Sequence, residues 1–187
     1  MDIAQFWLLY KAENKVTLTQ LQRYEDMNAP EYIKEFIRLG GGAKMGTVLE
    51  SFARFRFKTL AKRQKGKLQT GYDHLFIAPS TKQIYVEQKS SGHWGSKIGY
   101  KWQHVELKHK WDFLLLCGID YENILFWALA RPTLLQLVEK KKVTNQGSKT
   151  GDSSEGLWFN YEDVKDDLIE IKTDADLLTF VQALIAQ

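Results

Sequence analysis

Apolar residues in the first part of the chain recur at helical intervals. Ile3, Phe6, Trp7 and Tyr10 share one side of a helix, and Tyr32, Ile33, Phe36 and Ile37 share one side of another. Residues 2–39 are therefore expected to hold two or three helices, with Pro30 at a helix start, where its missing N–H has no partner to lose. After Gly40-Gly41-Gly42, apolar residues recur at helical spacing at Met45, Val48, Leu49, Phe52, Phe55 and Leu60. This spacing predicts one long amphipathic helix reaching about Lys67, with Arg54, Lys58, Lys62 and Lys65 as a basic stripe on its other side. Past Gly71 the period shortens to two. Residues 72–78 and 83–89 read as the strands of a hairpin turned at Pro79-Ser80-Thr81-Lys82, followed by a Gly- and Ser-rich loop over 90–96. Residues 100–110 are expected to form a short helix. The nearly continuous apolar runs 111–117 and 123–130 suit strands of a sheet covered on both faces. A helix from Pro132 to about Lys142, a polar loop over 144–156, the strand-like Leu157-Trp158-Phe159 and a terminal helix from Asp174 complete the chain. The apolar side of that last helix carries Leu177, Leu178, Val181 and Leu184. The order predicts an α/β fold, a central mixed sheet flanked by helices.

Composition changes this picture only in part. With 187 residues, 44% of them hydrophobic and 13% aromatic, the chain suits a single domain with one core. It has no uninterrupted apolar run of the roughly 18 residues a membrane span needs, and its start lacks the pattern of a signal peptide. A cytoplasmic protein with no membrane association is expected. Cys117 is the sole cysteine and sits in the apolar run 113–117, so it is expected in the core. Charge is more informative by distribution than by its total of +3. Residues 38–110 hold 15 Lys or Arg against 4 acids, whereas residues 151–187 hold 2 against 9. The middle segment is what a surface facing a polyanion requires, although a solvated basic helix face would read the same way.

The candidate chemistry lies on the hairpin. Glu87 and Lys89 are two apart and share a strand face. Asp73 and Glu87 are equidistant from Ser80, so a turn centred there sets them opposite each other, with Cβ atoms about 5 Å apart. Two carboxylates that close repel unless a cation lies between them, and hard oxygen ligands suit Mg²⁺. A plainer reading stands beside this one, a surface pair of Glu87 and Lys89 next to an ordinary strand-end acid. Leu75, Ile77, Ile84 and Val86 favour a core sheet, where charged residues need a reason. Gln88 faces the other way.

An acid at the start of one strand, Glu87-Gln88-Lys89 in the next and a preceding helix bearing Glu50 together resemble the PD-(D/E)xK nuclease superfamily of restriction endonucleases, over about residues 44–130. Tyr72 stands where the motif's proline would be. The resemblance implies a restriction-endonuclease-like core of helix, three-strand meander, helix and final strand. It also implies Mg²⁺ held by Asp73 and Glu87, with Mn²⁺ able to substitute, and Lys89 orienting the attacking water. Glu50 would bind a second metal or a metal-bound water, or else simply pair with Arg54 at i+4. In that frame residues 1–42 form a helical extension suited to dimerisation, 43–142 the nuclease core and 143–187 a loop with an acidic terminal unit.

The four histidines, His74, His93, His104 and His109, match no zinc spacing. Candidates for DNA contact are Arg54, Lys58, Lys62, His93, Lys97, Lys101, Gln103 and His104, with Asn145, Gln146, Ser148 and Lys149 in a loop able to read base edges. Trp94 is a further backbone contact, and Trp102 is expected in the core sooner than on DNA. The expected protein is a Mg²⁺-dependent endonuclease of double-stranded DNA, a homodimeric type II restriction enzyme. A structure- or end-specific repair or phage nuclease, and a silent DNA-binding protein of the same fold, stand as alternatives.

Overall fold

The computed structural model describes residues 19–39, 43–63, 71–77, 83–145 and 156–186. Among these residues three helices come first: α1 (Gln20–Asp26), α2 (Glu31–Arg38) and α3 (Ala43–Arg56). Thr19 caps α1 by accepting from the Gln22 amide, and Pro30 precedes α2 as expected. A six-stranded sheet follows, built from β1 (Leu60–Lys62), β2 (His74–Phe76), β3 (Ile84–Gly92), β5 (Phe113–Ile119), β6 (Ile124–Ala130) and β9 (Ile169–Glu170). They lie in the order β1-β2-β3-β5-β6-β9. Of these pairs β3 with β5 is parallel, and the others are antiparallel. A second sheet, in the order β4-β8-β7, contains β4 (Lys101–Val105), β7 (Thr144–Asn145) and β8 (Leu157–Asn160). Helix α4 (Arg131–Glu139) follows β6, α5 (Tyr161–Val164) follows β8, and α6 (Asp174–Ile185) ends the fold. The protein is thus α/β, with a mixed sheet flanked by helices. No helix among the described residues is long and apolar enough to cross a membrane.

Strand alternation splits the core into two layers. Phe113, Leu115, Cys117 and Ile119 of β5 join Tyr24, Ile33, Leu49, Phe57, Phe126 and Leu177 under the helices. Leu114 and Leu116 turn the other way, onto Trp102, Trp127, Leu129, Leu134 and Phe159. All seven residues of β5 are buried, as a strand covered on both faces requires. Its Phe, Leu and Ile side chains each contribute about 1.5–3 kcal/mol. Cys117 and Trp102 are core residues, and the Trp102 indole N–H donates to the Cys117 carbonyl at 3.0 Å. The described N-terminal helices α1 and α2 belong to the first layer through Tyr24, Ile33 and Ile37. Tyr32, expected on the same apolar side, is 63% exposed.

Two expected helices are corrected. The long helix stops at Arg56, because the Asp174 carboxylate accepts from the Lys58 and Thr59 amides at 2.9 and 3.0 Å and from the Thr59 hydroxyl at 2.7 Å. The chain then turns into β1, so Arg54, Lys58 and Lys62 occupy a helix, a turn and a strand, and no single basic stripe joins them. Lys65 lies outside the described residues. On α3 the buried positions are Met45, Leu49 and Ala53, while Val48 and Phe55 face outward. Residues 100–110 are not a helix. Their centre is β4, which pairs with the distant β8 and buries Trp102 and Val105, a tertiary pairing that overrides local spacing. The polar stretch after residue 143 opens with β7 rather than as a loop.

Candidate active site

The hairpin register is the one the sequence predicts. His74 pairs with Val86, Leu75 with Tyr85 and Phe76 with Ile84, and continuing one step sets Asp73 opposite Glu87. The turn residues 78–82 lie outside the described residues. Asp73 ends the pairing: its amide donates to the Val86 carbonyl at 2.8 Å, and its carboxylate accepts from the Gln88 amide at 2.8 Å. Beyond this point β3 runs on to Gly92 with no β2 neighbour. The Gln88 amide points to this side, so strand geometry turns its carbonyl to the same open edge.

Charge accumulates at this edge. Glu87 is buried, and the Lys89 ammonium lies 2.6 Å from its carboxylate. Burial pushes the Glu87 carboxyl above the usual range, the charge of Asp73 pushes it further, and Lys89 and His109 oppose the shift. Glu50 arrives from α3. Its carboxyl is also raised, by burial first and then by Asp73, with Arg54 and Arg63 opposing and Glu87 adding. The two glutamates thus both feel Asp73, as carboxylates converging on one place must. Glu50 does have its Arg54 neighbour, at 3.9 Å. It also lines, together with Gln88 and Lys89, a cavity of about 470 Å³.

A buried polar chain behind the site went unread in the sequence. The Arg54 guanidinium lies 3.1 Å from His74 Nδ1, and His74 Nε2 lies 2.8 Å from Gln88 Oε1. Arginine only donates, so Nδ1 accepts, the proton sits on Nε2, and the imidazole donates to Gln88. Burial, seconded by Arg54, holds His74 down at about 4, in keeping with the neutral ring. The Gln88 amide in turn donates to the Ser90 hydroxyl at 3.3 Å, and Arg54 also donates to Ser51 at 3.1 Å. The chain ties the helix bearing Glu50 to the strand bearing Glu87 and Lys89. The alternation of β3 did reveal that Gln88 faces away from Glu87. What it could not reveal was its partner.

The remaining candidates scatter. Arg54 is consumed by this internal chain, and His93 is held by the Tyr121 hydroxyl and the Gly95 amide, both at 3.0 Å, with burial lowering its pKa. Lys58 lies 4.6 Å from the Phe55 ring, and Lys62 and Lys97 are exposed. Lys101, Gln103 and His104 line the cavity beside Lys89, as does Trp94. Asn145 is exposed on β7, whereas Gln146, Ser148 and Lys149 lie outside the described residues. His109 faces Glu106 at 3.3 Å.

Among the described residues no group of three or more His, Cys, Asp or Glu side chains is gathered to hold a metal ion by itself. A Mg²⁺ site needs less, since this ion is commonly held by one or two carboxylates with waters and substrate phosphate completing the shell. Asp73, Glu87 and the Gln88 carbonyl are hard oxygens of the type such a site uses. No family model, curated protein or solved structure matches the chain.

Proposed function

We propose that the chain is a Mg²⁺-dependent endonuclease acting on double-stranded DNA. One juxtaposition carries the reading: Asp73 opposite Glu87 at the end of β2, Lys89 at 2.6 Å from Glu87, and Glu50 reaching the same open edge from α3. Glutamates buried beside the charge of another carboxylate are costly to a fold that gains nothing from them, and such clusters mark sites of cation and substrate binding. Asp73 and Glu87, with the Gln88 carbonyl, would hold Mg²⁺. When bound, the ion supplies positive charge against the scissile phosphate and eases deprotonation of water. Lys89, freed from Glu87 once that carboxylate is engaged, would orient the attacking water and hold charge developing on the phosphate. Glu50 would accept a hydrogen bond from the same water. The buried Arg54–His74–Gln88 chain would keep α3 and β3 in register while this happens.

A helix followed by a three-strand antiparallel meander supports a restriction-endonuclease-like core. The crossover from β3 to β5 departs from that pattern, since β4 stands where a helix is implied. The finer reading is a sequence-specific type II restriction enzyme of the cytoplasm, a homodimer whose two-fold axis matches a palindromic site. The cavity beside Lys89 favours a second reading, a structure- or end-specific nuclease. Digestion of supercoiled plasmid and of a large linear DNA with Mg²⁺ tests both. Lys89→Ala should lower cleavage at least about a hundredfold while DNA binding persists. Discrete fragments indicate sequence recognition and a smear indicates structure or ends. A wild-type protein that binds DNA and never cuts it overturns the proposal in favour of a silent binding protein.

A further inference from the structure

We infer that the cavity beside Lys89 receives one unstacked nucleotide adjoining the bond to be cut. The inference rests on the nuclease reading and says what that site holds besides the scissile phosphate. The recess exists because β2 stops at Asp73 while β3 continues through Ser90 and Ser91, leaving space between the first turns of α3 and β4. Its volume of about 470 Å³ falls within the roughly 300–1,000 Å³ of small-ligand sites. A phosphate alone would leave most of it unfilled, and a paired base, stacked on both faces, cannot enter.

Its walls offer what a single nucleotide needs. Trp94 stands at the rim, 44% exposed, with the Arg23 guanidinium 5.7 Å from its ring. The turn carrying it is tight: the Trp94 amide donates to the Gly99 carbonyl at 2.7 Å and the Gly99 amide to the Gly95 carbonyl at 2.8 Å. Gly95 and Gly99 supply the positive φ angles, +96° and +64°, that this turn requires. An exposed indole carried on such a turn is a platform on which a base of any identity can stack. Opposite stands an irregularity in β4. Its register with β8 shifts between Trp102 and Val105, and His104 adopts a φ of 57°, uncommon for a residue other than glycine. In a regular strand Gln103 and His104 would face opposite ways, yet both line the recess. The bulge, between the buried Trp102 and Val105, thus sets two residues with hydrogen-bonding side chains at the recess, the residue types that pockets for extruded bases use. Lys89 and Lys101 supply charge for the flanking phosphates.

Such a nucleotide comes either from a single-stranded end or from a base extruded out of a duplex. Three labelled hairpin DNAs, each closed by a non-nucleotide linker so that the loop offers no unpaired base, separate these sources: fully paired, with a short unpaired tail, and with a central mismatch that lowers the cost of extrusion. Binding is read by anisotropy in Ca²⁺, a hard cation that also takes oxygen ligands. The tailed or the mismatched hairpin should bind at least about fivefold more tightly than the paired one. Trp94→Ala should abolish that preference, and Trp94→Phe should keep much of it. Equal binding of all three by the wild-type protein overturns the inference, as does a preference that survives Trp94→Ala. Plasmid cleavage in Mg²⁺ by the same preparation scores the nuclease reading separately.

Discussion

At the scale of single residues, the site sets its own electrostatics against the stability of the fold. Burial, then the charge of Asp73, raise the Glu87 carboxyl above its ordinary 4.5, so the folded state binds this proton more tightly than the unfolded chain does. The stability contributed by that group is full below the ordinary value and is lost as pH rises through the raised folded value. Glu87→Gln should therefore melt above the wild-type protein at neutral pH without metal, with the two curves converging near pH 4. Lys89 keeps an acceptor in the new amide oxygen. Added Mg²⁺ should raise the wild-type melting temperature by mass action and leave the variant unmoved. Scanning calorimetry across pH, with and without Mg²⁺, checks this, and a variant that melts lower at neutral pH would sink it. The facing of Asp73 and Glu87 was legible in the sequence because a strand has a period of two and the turn is symmetric about Ser80. The Arg54–His74–Gln88 chain was not. It joins residues on α3, β2 and β3 whose approach depends on how a helix lies over a sheet, and no spacing along the chain encodes that.

At the scale of elements, local pattern served where an element is defined by its own residues and failed where a distant one ends it. Helix α6 begins at Asp174, as predicted, with Thr173 and Asp176 in a reciprocal cap. The same Asp174 reaches back 115 residues to Thr59 and ends the run of helix after Arg56. A helical spacing from Met45 to Leu60 cannot foresee a carboxylate from the other end of the chain. β4 was misread for the same reason, since β8, its pairing partner, lies across a long intervening stretch. Asp174→Ala removes three hydrogen bonds, two of them from backbone amides that are then left without this partner. It should cost about 1–3 kcal/mol. Urea titration should show a lower midpoint with an unchanged slope. A variant as stable as the wild-type protein would mean that water replaces Asp174 at these amides and that the helix end is set by β1 instead.

At the scale of the whole molecule, the charge asymmetry along the sequence survives folding only in part, and this separates two kinds of basic residue. Arg54 is turned inward to His74 and Ser51, so its charge supports the site from behind. Lys62 and Lys97 are exposed, and Lys101 lies over Trp158 at 4.4 Å while reaching the cavity. Sequence counting treats all four alike, because net charge per segment carries no information on which guanidinium or ammonium meets solvent. On the proposed function, the salt dependence of DNA binding distinguishes them. Each phosphate that a substitution leaves unneutralised should make the slope of log K against log salt shallower by about 0.9 on duplex DNA. Lys62→Ala, Lys97→Ala and Lys101→Ala are each expected to reduce the slope by up to that amount, with little change in melting temperature. Arg54→Ala should leave the slope as it is and lower the melting temperature, since it strands the buried His74 acceptor. Filter binding from about 50 to 200 mM salt reads the slopes. The opposite result, a slope that shifts with Arg54 and ignores the three lysines, would move the proposed DNA-facing surface away from these lysines.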